Sequence, residues 1–200
     1  MEEIKEAVGT GPARDLEEMG IEGLITAFQR NEDPHIRRYA AFLLGKSGDP
    51  RVVPVLVKGL SDLDKGVREQ AALALSAIGK TAIGPLQKAM EDPKWETRYR
   101  AVEALGKIAD QLVVSPLIKA LSDERDHVRY MAAKGLREVR DSQSVDPLIA
   151  LLGDENEFVR MMAAKGLGSI GGVKVKAALE EALRKEQNDR VKAALVDAMK

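Results

Sequence analysis

Apolar residues in this chain recur with the period of an α-helix, and the whole pattern then repeats about every 31 residues. The clearest copies read IRRYAAFLLGKSGD from Ile36, VREQAALALSAIGK from Val67, TRYRAVEALGKIAD from Thr97, VRYMAAKGLREVRD from Val128 and VRMMAAKGLGSIGG from Val159. A shortened sixth copy, VKAALVDAMK, starts at Val191. We count the Val, Ile or Thr that opens each copy as position zero and advance about 100° per residue. Positions +4, +5, +7, +8 and +11 are then mostly Ala, Leu and Ile and form the buried side, with Ala71, Ala72, Ala74, Leu75 and Ile78 in the second copy. Positions +2, +3, +6 and +10 vary between copies and are expected to face outward.

Before each of these helices the spacing predicts a shorter one: PVLVKGL (Pro54–Leu60), GPLQKAM (Gly84–Met90), SPLIKAL (Ser115–Leu121) and DPLIALL (Asp146–Leu152), with GLITAF (Gly23–Phe28) as an N-terminal relative. Proline near a helix start loses no hydrogen bond and brings a suitable φ. Acidic links follow, such as SDLD at Ser61 and SDERD at Ser122, and their carboxylates suit the N-terminus of the next helix. Gly-Asp or a near equivalent closes the longer helices. Alternating β-branched runs are absent, so the predicted fold is all-α, a stack of helix pairs.

The same register places an arginine at position +1 of every full copy: Arg37, Arg68, Arg98, Arg129 and Arg160. Regular cations could track a nucleic-acid backbone. They could equally pair with the acidic links and lock successive repeats, and Asp62, Asp64, Asp92, Asp123 and Asp154 recur at a matching period. The structural reading is the stronger of the two.

Composition narrows the functional classes. Lys and Arg number 31 against 32 Asp and Glu, a net charge of −1, so the chain as a whole does not attract polyanions. Cysteine is absent, which removes disulfides, thiolate catalysis and Cys-based zinc sites. Neither a signal peptide nor a spanning run is seen, giving a cytoplasmic expectation without a membrane partner. His35 and His127 hold equivalent positions three repeats apart and cannot share a metal. GTGP at Gly9–Pro12 is a turn before a helix and lacks the Lys-Ser/Thr ending of a phosphate loop. No catalytic residue, metal site or cofactor is expected, and the chain reads as a non-enzyme.

The pattern (D/E)-x-x-V-R-x-x-A-A-x-A-L-G-x-I-G-D followed by P-L-I-x-A-L resembles the short HEAT-like repeats of the phycobilin lyase type, over roughly residues 21–200. Thr97, Gly135, Arg137 and Lys192 depart from it. The resemblance implies an α-solenoid of about six stacked helix pairs. Residues 1–200 are read as one domain: cap and partial repeat at 1–32, five full repeats at 33–186, cap helix at 187–200. It further implies that the Arg-bearing helices line a concave binding face.

The outward positions of those helices carry Tyr39, Tyr99, Arg100, Tyr130, Met131, Met161 and Met162, with Trp95 and Phe158 beside them. Tyr and Trp cover large areas at small entropic cost and Met adapts to irregular partners, so these nine are the candidate partner-binding residues. Lys46, Lys107, Lys134 and Lys165 add positive charge, which fits an acidic protein or peptide. The reading that follows is a monomeric, non-enzymatic scaffold. The alternative, from the resemblance, is a subunit of a bilin chromophore lyase or isomerase. A nucleic-acid-binding repeat protein is the weakest of the three.

Overall fold

A computed structural model describes residues 6–200, side chain of Thr10 excepted; the first five residues of the expected N-terminal cap lie outside it. All regular structure among the described residues is helical. The chain divides into two compact units, Met1–Ala104 and Leu105–Lys200.

In the first unit α1 (Thr10–Glu18) precedes three helix pairs: α2 (Ile21–Arg30) with α3 (Pro34–Ser47), α4 (Val53–Gly59) with α5 (Lys65–Ile78), and α6 (Ile83–Ala89) with α7 (Trp95–Ile108), whose last turn enters the second unit. The second unit continues with α8 (Val114–Ala120), α9 (Asp126–Val139), α10 (Val145–Leu151), α11 (Glu157–Ile170), α12 (Val173–Lys185) and α13 (Asp189–Ala198). Short 3-10 turns lead into α4, α6, α8 and α10. Those helices therefore begin at Val53, Ile83, Val114 and Val145, a little ahead of the prolines. Asp49, Asp110 and Asp141 cap three of the turns by accepting from the N–H groups of Arg51, Leu112 and Gln143. Asp33, Asp64 and Asn156 do the same for α3, α5 and α11.

Each unit repeats one packing scheme. Within the first, α3 lies against α5 and α4 against both α5 and α6. Within the second, α11 is flanked by α9 and α13, with α10 across it. Such a helix is covered on three sides. Positions +4, +5 and +8 are buried in all five copies, from Ala40, Ala41 and Leu44 to Ala163, Ala164 and Leu167. Val52, Val53 and Leu56 of the first helix type, with Val113, Val114 and Leu117, complete the cores.

Small residues set the spacing between neighbouring long helices. A Cβ built on Gly106 would sit 2.8 Å from the Cα of Gly135, and one on Gly45 would sit 2.7 Å from the Cα of Ala74. Gly135, a departure from the repeat pattern, is thus a contact of two backbones.

Candidate functional site

The arginines at +1 tie loops together. Through Nη1, each donates to two carbonyls of the loop before its own helix: Asn31 and Glu32 for Arg37, Asp62 and Leu63 for Arg68, Asp92 and Pro93 for Arg98, Asp123 and Glu124 for Arg129, Asp154 and Glu155 for Arg160. Arg37 also forks Asp62 at 3.0 and 2.8 Å, Arg129 forks Asp154 at 2.7 and 3.0 Å, and Arg160 forks Glu186 at 2.8 and 3.1 Å. Two parallel N–H donors on one carboxylate make the strongest form of such a bond. Burial alone would raise the Asp62 carboxyl; the hydrogen bonds from Arg37 and the Asp64 N–H outweigh it and hold it below the usual range. Glu186 is also lowered, chiefly by Arg160. Asp64 is not a rung partner: it caps α5 by accepting from the N–H of Val67.

The outward stripe is narrower than the sequence suggests. Tyr39, Gln70, Arg100, Met131 and Met162, all at +3, are buried. The expectation that Tyr39, Arg100, Met131 and Met162 face solvent is therefore corrected. At about 100° per residue, +3 stands only about 40° from +7, and the neighbouring long helix that covers one covers the other. The residues at +2 keep part of their surface: Tyr99, Tyr130 and Met161 are half-buried. Trp95 is half-buried too, and Phe158 is 50% exposed.

In the first unit Trp95 and Tyr99 meet edge to face, with ring centroids 6.5 Å apart and planes at 78°. The Arg100 guanidinium lies 5.3 Å from the Tyr99 ring centre. Arg100 is already occupied: Nη1 donates to Glu103 at 2.6 Å and Nη2 to Glu69 at 3.4 Å. It holds the aromatic pair in place and is not free to meet an acidic partner. Tyr39 stacks on Phe42 at 5.9 Å and donates its hydroxyl to Glu17 of α1 at 2.5 Å. Burial, then the Glu17 carboxylate, pushes its phenol up to about 12.

In the second unit Lys134 and Lys165 are exposed beside Tyr130 and Met161. His127 is exposed and pairs with Asp126 at 2.7 Å, one residue away. Two clefts open there. One, of about 700 Å³, lies between α10 and α12, and its charged wall includes the mutually satisfied Arg160 and Glu186. The other, of about 410 Å³, gathers Arg137, Arg140, Lys165 and Lys200 around the C-terminal ends of α9, α11 and α13. Arg140 is not among the residues expected from the sequence to bind a partner. The signal was an arginine at +12, where three other copies have glycine (Gly48, Gly79 and Gly171).

Among the described residues no cluster of three His, Cys, Asp or Glu could hold a metal ion, and no helix is long and apolar enough to cross a membrane.

Known proteins with the same helical arrangement bind and act in different ways. A chain from the complex of CpcE and CpcF of phycocyanin lyase from Nostoc sp. PCC7120 is similar with a TM-score of 0.70 and 22% identity, covering 76% of this chain and 100% of that one. A designed armadillo repeat protein in complex with the peptide (KR)4 is similar at 0.57 and 21%, covering 91% and 100%. Human deoxyhypusine hydroxylase follows at 0.52 and 24%, covering 94% and 75%. At these identities the likeness is one of fold, the all-α helical-repeat class of the α-solenoids. None of the curated proteins matches the sequence. The family model for HEAT repeats matches residues 21–85, 79–127 and 114–200, nearly the whole described chain, so the protein belongs to the HEAT repeat family.

Proposed function

We propose that this HEAT repeat protein is a non-catalytic scaffold that docks a partner protein on the open side of its Arg-bearing helices. One observation carries the reading: after +3 is withdrawn into the core, +2 still presents Tyr99 in one unit and Tyr130 and Met161 in the other, all half-buried. Large side chains with a packed base and an open face lose little entropy on binding and tend to carry interface energy. The ladder arginines are spent on the fold, which leaves Lys134 and Lys165 beside Tyr130 and Met161 as exposed cations without an ion-pair partner among the described residues. The experiment is photo-crosslinking from position 130 in extract of the native organism, with Lys88 on α6 as the control position. A partner trapped from 130 and lost in Met161→Ala supports the reading. Identical products from both positions sink it.

The bilin lyase reading rests on likeness of fold, the phycocyanin lyase chain being covered end to end. Adding a bilin and recording its absorbance tests it: a saturable red shift on mixing would make this chain a pigment carrier.

A further inference from the structure

The cleft at the C-terminal ends of α9, α11 and α13 carries a charge imbalance that its own residues do not resolve. Four cations line it, Arg137, Arg140, Lys165 and Lys200, against two carboxylates, Glu138 and Asp197. Both carboxylates are engaged: Arg137 donates to Glu138 at 2.6 Å and Lys200 to Asp197 at 2.7 Å. Arg140 and Lys165 are exposed and have no hydrogen-bonded or ion-pair partner among the described residues. Lys165 is close enough to help hold Asp197 below the usual carboxylate range, after the larger effect of Lys200.

The backbone at Arg140 is the second observation. At position +12 the backbone turns to positive φ, 65° at Gly48, 82° at Gly79 and 74° at Gly171, and at Gly48, with ψ 5°, it is a left-handed helical turn. Arg140 adopts the same hand at φ 57° and ψ 38°, a conformation that L side chains resist and glycine does not. Strain of this sort collects where a side chain is needed for something other than folding. Ala109 is the other non-glycine residue with positive φ among the described residues, and it does not line this cleft. It is the natural control.

We infer that this cleft binds a phosphate group, gripped by Arg140 and Lys165 with Arg137 and Lys200 at the rim. Arg140 and Lys165 are the two cations left over beyond the Arg137–Glu138 and Lys200–Asp197 pairs, a number that matches the two charges of a phosphate monoester, and a guanidinium presents paired donors to its oxygens. The volume of about 410 Å³ exceeds one phosphate and leaves space for the group that carries it. The competing role for these cations is to complement the negative helix C-termini that surround them.

Calorimetric titration of the full chain decides between them, at constant ionic strength set with chloride. The probes are inorganic phosphate and a peptide that is otherwise uncharged and bears one phosphoserine. Saturable binding is expected, weakened about tenfold or more in Arg140→Gly and in Lys165→Gln, the loss of one charge-assisted contact. Ala109→Gly should bind as the parent does. Tighter binding of the peptide assigns the phosphate to a phosphorylated protein segment; equal binding assigns it to a free phosphate ester. Because glycine is what the other copies use at +12, Arg140→Gly should melt no lower than the parent, so a loss of binding there is not a loss of fold. Absence of saturable binding by both probes, or equal affinity in the parent, Arg140→Gly and Lys165→Gln, would overturn the site and leave these cations to the helix ends.

Discussion

Arg129 and Asp154, 25 residues apart, meet in a two-point fork at 2.7 and 3.0 Å while their side chains are only 10% and 7% exposed. The same guanidinium reaches back to the Asp123 and Glu124 carbonyls, so one side chain joins the loop before its own helix to the loop before the next. Arg68 shares the carbonyl bonds but, among the described residues, has no carboxylate fork.

The two rungs should therefore differ in weight. Removing one partner of a buried pair strands the other, so Arg129→Ala is expected to cost about 3 kcal/mol. Arg68→Ala should cost about 1 kcal/mol, the scale of carbonyl hydrogen bonds alone. Denaturant unfolding of both variants checks this, and equal losses would show that the fork contributes nothing beyond its carbonyl bonds.

Tyr39 gives a pH prediction. Its phenol titrates near pH 12 in the fold against an ordinary value of 10.0, so the folded state holds the proton longer than the unfolded one. That contribution is complete below pH 10 and is lost as pH rises through the interval up to about 12. Tyr39→Phe should remove this part of the alkaline loss of stability and should itself cost about 1 kcal/mol for the missing bond to Glu17. An alkaline unfolding curve unchanged by the substitution would refute the assignment.

Glycines at helix contacts and glycines on helix surfaces should respond with opposite sign. Gly106→Ala pushes a methyl group to 2.8 Å from the Gly135 backbone, which cannot swing aside, and is expected to cost about 2 kcal/mol. Gly84→Ala places its methyl group in open space in α6 and should stabilise by about 0.5–1 kcal/mol. Thermal melts of the two variants moving in the same direction would contradict the packing described.

For the docking face, Tyr130→Ala and Met161→Ala should each change stability by no more than about 1 kcal/mol while weakening partner capture by more than about 1 kcal/mol. Met131→Ala, one residue along and buried, should do the reverse, with a stability loss of about 2–3 kcal/mol. Capture assays paired with melts separate the two patterns.

The helices, their order and the repeated core were legible in the sequence, because position within a helix turns with residue number and the same apolar set returned in five copies. Glycine at +12 likewise announced the helix ends at Gly48, Gly79 and Gly171, each of which has positive φ. Which flank of a long helix stays open was a different matter. An angle around one helix says nothing about how far its neighbours reach, so Tyr39 and Met131 at +3 read as surface until the adjoining helices were in place. The partner of Arg160 was hidden for the same reason: the last link offers Glu186 instead of an aspartate at the expected spacing, and only its side-chain length and the packing of α12 bring it to the guanidinium. Local periodicity fixes what each helix buries on average. The close approach of one helix to the next decides which single side chains lose their water and which keep it.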